Sequence, residues 1–233
     1  MQKEIVIAGQ RIGYTLERKR VKNINLRVRP DGSVYVSAAP FVPQSAIDRL
    51  ILSNAQAVLA GIRRAEKIKA RAGGDGETLI FGVRYPVEVC AGKKNTAELT
   101  PSAVCVTLKD VQDEAARGRA LDKLLREECV RAVTDCCERV YPRFRDMGVA
   151  WPEIRFRRMT GRWGSCQPSR GVITFATGLV HARAECIEYV VTHEFCHFIH
   201  PDHSPAFHAL MTRLMPDWRE RKKRLNDTPF PGV

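Results

Sequence analysis

Residues 190 to 210, VVTHEFCHFIHPDHSPAFHAL, hold five of the six histidines of the chain. Within them His193, Glu194 and His197 set the spacing H-E-x-x-H, and no other feature of the sequence constrains the fold so tightly. On an α-helix a step of four residues is about 40° of rotation and about 6 Å of rise, so the two imidazoles stand one above the other, near enough to share one metal ion. With Ile187 as origin and about 100° per residue, Val190, Val191 and Phe198 fall within about 60° of it, and so does Glu194. A carboxylate on an apolar stripe is costly without a partner. A metal site needs one there, so the helix reads as a metal-binding helix set against a core.

Catalytic zinc takes three protein ligands and keeps one position open, so a third ligand is required. His200 shares the flank of the first two, but it lies roughly 10 Å along the axis from His193, too far to join them. Pro201 disfavours helical geometry at His200 and turns the chain. His203, six residues after His197, can come back toward the metal. As third ligand His203 ranks first, then His208, then Asp202. Cys166 and Cys196 are read as buried thiols and not as ligands; Cys196 sits about 100° around the helix from His197.

The rest of the chain reads as α+β. EIVIAG, RIGYTLER, NINLRVRP and SVYVSAAP alternate as strands do, with a hairpin turn at Asp31-Gly32. Ser45 to about Arg71 has helical spacing and stops at Gly73-Gly74; strands return over 78 to 110, and a long amphipathic helix covers 113 to 147. The last third gives strand EIRFRRM, loop TGRWGSCQPSRG, strand VITFATGLV, the histidine helix, and a final helix capped by Ser204 with Pro205 at its first position. No internal repeat is visible. The division falls near residue 110, giving a β-rich N-terminal region with one helix (1–110) and a catalytic domain (111–233).

Composition narrows the setting. Eight cysteines with no C-x-x-C pair and no export signal are expected to be reduced, and no apolar run approaches the roughly 18 residues of a membrane span. The chain is therefore expected to be soluble and cytoplasmic, with no membrane partner. The net charge of +12 is concentrated early: residues 1 to 72 carry fourteen Lys and Arg against five Asp and Glu. That excess would give weak, sequence-independent nucleic-acid binding.

Three stretches, RWGSC at 162 to 166, IEYVVTHEFCHFIH at 187 to 200 and HSPAF at 203 to 207, resemble the YgjP-type zinc metallopeptidases, relatives of the SprT-like proteases. The resemblance is strong over about residues 115 to 226 and looser over the N-terminal strands. It implies a zincin-like catalytic domain, His203 completing the Zn2+ ligands with His193 and His197, and Glu194 as catalytic base. His208 stands where the family usually has Trp, and Gly161 where a larger residue precedes the arginine. The implied function is hydrolysis of peptide bonds in a peptide or protein substrate by a zinc-activated water. The alternatives are a nucleic-acid-associated binding protein with a structural zinc, or a protease acting on nucleic-acid-bound proteins.

Overall fold

The alternating apolar residues of the first third build one sheet, because a period of two lines a single face. Strands β1 (Gln2–Ile7), β2 (Gln10–Arg18), β3 (Asn25–Val28) and β4 (Val34–Ala38) lie in the order β1-β2-β4-β3. β2 and β4 are parallel and the outer pairs antiparallel. Tyr14, Leu16, Val34 and Val36 bury their face in one cluster with Ile47 and Ile51, four residues apart on helix α1 (Gln44–Ser53). The single helix expected over 45 to 71 is broken at Asn54, with α2 (Ala55–Arg71) continuing beyond.

The computed structural model describes residues 1–29, 32–71, 76–159 and 161–228, without the side chains of 64 and 67–71. The turn residue Asp31 and the helix stop at Gly73-Gly74 lie outside the described residues. The hairpin itself is present, its β3 and β4 paired from Asn25↔Ser37 to Val28↔Val34.

Strands β5 (Glu77–Ile80), β6 (Val83–Ala91), β7 (Thr96–Leu99) and β8 (Val104–Leu108) repeat the plan of the first four. Their order is β5-β6-β8-β7, again with a parallel inner pair and antiparallel outer pairs, and again a helix follows. The match extends to the first turn. Ala8 and Gly9 have φ of 48° and 81°, and Phe81 and Gly82 have 49° and 81°. Two successive positive φ values in a two-residue loop make a type I′ hairpin. Ala8 and Phe81 are the only non-glycine residues of positive φ among the described residues. The sequence reading of no internal repeat is thus corrected: the repeat lies in backbone plan, with little side-chain identity to reveal it.

Helix α3 (Glu114–Arg145) starts where the Asp113 carboxylate accepts the Ala116 amide at 2.8 Å. It buries Leu124, Cys129, Val133 and Phe144 in one core with Val104, Val106 and Leu108 of β8. The Phe81 amide also donates to the Val180 carbonyl at 2.7 Å. Accordingly the chain divides into two compact units, Met1–Arg71 and Ala72–Gly232. The division drawn near residue 110 would separate β8 from α3, which share that core.

The third sheet, β9 (Glu153–Arg157), β10 (Gly164–Gln167) and β11 (Val172–Ala176), has the order β10-β11-β9. Every residue of β11 is buried. Helices α4 (Ala184–Cys196), α5 (Pro205–Leu214) and α6 (Trp218–Asn226) complete the unit. The one final helix expected from sequence is two, parted at Pro216, which cannot continue a helix from its predecessor. With six helices and three mixed sheets among the described residues, the fold is α+β. No helix among them is long and apolar enough to cross a membrane. All eight cysteines are free, and five are buried.

Candidate metal centre

Helix α4 is apolar on nearly every side. Ile187, Val190, Val191 and Phe195 all enter the core, Phe195 stacking on Phe144 at 5.2 Å between ring centroids. Glu185 and Glu188 in its first turns are partly exposed, and so is the flank of His193 and His197 near its end. The helix ends there: the His200 amide still bonds the Cys196 carbonyl at 2.9 Å, and Pro201 stops the run. This ending has a use, because His197 Nδ1 lies 3.2 Å from the His200 carbonyl oxygen. A carbonyl can only accept, so Nδ1 carries the proton and Nε2 keeps its lone pair free.

The turn after Pro201 returns His203 to the same point. Its Nε2 lies 3.1 Å from His193 Nε2, and His197 Nε2 lies 3.3 Å from the same atom. These nitrogens are the only group of metal-binding type that the described residues bring together, all within 4.8 Å of one another. A tetrahedral zinc with bonds of about 2.0–2.1 Å needs its nitrogens about 3.3 Å apart, so the donor set fits such an ion. Two of the imidazoles are also held toward the neutral form that coordination requires. Burial and the neighbouring imidazoles push His193 down to about 3, and burial lowers His197 as well.

The three rings rest on one side chain that sequence reasoning missed. Phe207, 1% exposed, lies 5.0 Å from His193, 4.8 Å from His197 and 4.9 Å from His203 between centroids. It stands four residues after His203, and Ser204 fixes the intervening turn by accepting the Phe207 amide at 3.4 Å. The other candidates are elsewhere. His200 contributes its carbonyl, Asp202 accepts the Ser204 amide at 3.4 Å, and His208 stacks on Trp218 at 5.3 Å. Cys196 Sγ points to Met211 Sδ, 3.4 Å away.

Glu194 is 5% exposed and points toward β10. The segment read from sequence as a loop around Trp163 to Cys166 is a strand edge against this carboxylate. A Cβ on Gly164 would stand 2.5 Å from Glu194 Oε1, and the Cys166 amide donates to the carboxylate. Burial raises Glu194 to about 8, against the opposing pull of the Arg162 guanidinium and that hydrogen bond. A cation among the imidazoles would favour its ionised form. The cleft that holds the triad and Glu194 has a volume of about 650 Å³.

A cleft in which three imidazoles converge beside a buried carboxylate has the donor set and the acid–base group of a metal-dependent hydrolase. The sequence of residues 22–228 matches the family described as YgjP-like, metallopeptidase domain. The chain therefore belongs to the YgjP-like metallopeptidase family, which covers both the triad and most of the first unit. No curated protein matches it.

Proposed function

We propose that the chain hydrolyses peptide bonds of protein substrates at a zinc ion held by His193, His197 and His203, with Glu194 as general base. The observation that carries this reading is the division of labour in one cleft: three imidazoles converge, and the adjoining carboxylate stays outside their group. A bound zinc supplies Lewis acidity, lowering the pKa of water and polarising a carbonyl.

The residues of the chain do the rest. His200 holds the His197 ring through its carbonyl, and Phe207 keeps the three rings from turning. Glu194 takes the proton of the attacking water and delivers it to the leaving amine, the ionised carboxylate that a cation in the site would favour being the form that accepts it. The Cys166 amide and Gly164 hold that carboxylate in place.

Nucleic-acid binding by the basic first third finds no support here. Arg18 donates to the carbonyls of Ala39 and Val42 at 3.0 and 2.7 Å, Lys19 pairs with Glu17 at 2.7 Å, and Arg29 lies 4.4 Å from the Tyr35 ring centroid. Part of the charge is thus used within its own unit. The test of the proposed activity is hydrolysis of an unfolded protein by the zinc-loaded and chelator-stripped chain. Activity should vanish on stripping and return with about one equivalent of zinc; activity that survives stripping refutes the reading.

A further inference from the structure

Around the triad the exposed charge of the cleft is of one sign. Among its lining side chains Glu194 is the only carboxylate, and it is buried, whereas Arg162 and Lys222 are exposed in the cleft. Helix α6 sorts its cations by face. Arg221 bonds Glu188 at 2.6 Å and Asp217 at 2.9 Å, and Arg224 reaches Glu185 at 3.5 Å and Glu220 at 3.7 Å. Glu185 and Glu188 of α4, Asp217 and Glu220 are therefore paired with Arg221 and Arg224 rather than with the cations of the cleft. Arg219 and Lys222, three residues apart, pair with no carboxylate among the described residues and lie 4.5 and 5.9 Å from the Trp218 ring centroid. Arg162 also makes no ion pair among them. Its charge is felt by Glu194, and that of Lys222 by His193, so both act within reach of the site.

We propose that Arg162 and Lys222 make the cleft select peptides with a carboxylate beside the scissile bond, either an Asp or Glu side chain or a chain-terminal carboxylate. This rests on the peptidase reading above. Two cations in a partly enclosed cleft focus their field on an approaching anion, and a guanidinium offers a carboxylate two parallel hydrogen bonds. The same field repels a lysine or arginine at that position, so selection operates in both directions.

The test uses internally quenched peptides, identical except for Glu, Gln or Lys beside a common cleavable bond and amidated at the C-terminus. A second set is neutral, with a free carboxylate at increasing distance from that bond. The zinc-loaded chain should cleave the Glu peptide at least about tenfold faster than the Lys peptide in kcat/KM, with the ratio shrinking as salt rises. Lys222→Glu should reduce or invert the ratio while one zinc per chain remains bound. Preference for the neutral peptides with a near terminal carboxylate alone would assign the site to chain ends. Equal rates across the charge series, or a ratio unmoved in Lys222→Glu, overturn the proposal. Binding of the same labelled peptides to zinc-loaded Glu194→Gln, read by fluorescence anisotropy, separates the two claims. Tighter binding of the Glu peptide without cleavage by the wild type would uphold the cleft and overturn the peptidase reading, and binding blind to charge would overturn the cleft.

Discussion

Gly164 of β10 approaches Glu194 of α4 so closely that a single added methyl would stand 2.5 Å from Oε1 and 2.8 Å from the carboxyl carbon. Only a residue without a side chain allows the strand edge to press on the carboxylate. Gly164→Ala should push Glu194 away from its hydrogen bond with the Cys166 amide. A misplacement of about 1 Å in a reacting group costs on the order of 10² in rate. Peptide hydrolysis should fall by about that factor in Gly164→Ala, with zinc content unchanged by atomic absorption.

The three imidazoles predict a set of metal contents. His193→Ala, His197→Ala and His203→Ala should each purify without zinc. His200→Ala should keep it, because the contact of His200 with His197 is made by a backbone carbonyl. His208→Ala should keep it too, its ring being stacked on Trp218 outside the group. Full occupancy in His203→Ala with loss in His208→Ala would reverse the assignment.

Phe207 supports all three rings from a buried position. Truncating a buried phenylalanine to alanine costs about 3–5 kcal/mol. Phe207→Ala should lower the urea midpoint of the metal-free protein accordingly. It should also weaken zinc, read by competition with a chromophoric chelator, because the freed rings must be ordered again on binding. Unchanged zinc affinity in a destabilised variant would limit Phe207 to packing.

Two buried groups should give the metal-free protein stability slopes of opposite sign. Burial lowers His181, whose Nδ1 lies 2.5 Å from the Leu79 carbonyl oxygen. The unfolded chain then binds the extra proton first, and stability is lost as pH falls below about 6.5 toward the folded pKa. The advantage of wild type over His181→Asn should therefore narrow on acidification. Glu194 is raised to about 8, so between the carboxylate's ordinary 4.5 and about 8 the folded chain holds the extra proton and stability falls as pH rises. Metal-free Glu194→Gln should gain on wild type across that range. Urea titrations at stepped pH measure both.

The helix and its two histidines were legible because the spacing works only on a helix, and His203 because Pro201 forces a return of the chain. Strand β10 was not legible: Gly164, Ser165, Cys166 and Gln167 have no apolar alternation, and their pairing with β11 comes from tertiary contact. The role of Phe207 was not legible either, since its relation to the rings exists only after α4 and α5 meet. The repeated sheets were hidden for a similar reason. Their shared feature is a pair of positive φ values, at Ala8-Gly9 and Phe81-Gly82, and only the glycines of those pairs announce it in sequence. Pro216, in contrast, stands in the sequence as a stop between α5 and α6, and the single final helix expected there passes over it.

The most direct test of the proposed mechanism is zinc content and peptide hydrolysis measured side by side on wild type and Glu194→Gln. The amide keeps the shape of the side chain and removes a buried charge, but it cannot accept a proton. The variant should hold about one zinc per chain and lose about 10² to 10⁴ in rate, the usual loss of a general base. Hydrolysis within a few-fold of wild type, or loss of the zinc, would contradict the assignment of Glu194 as the base.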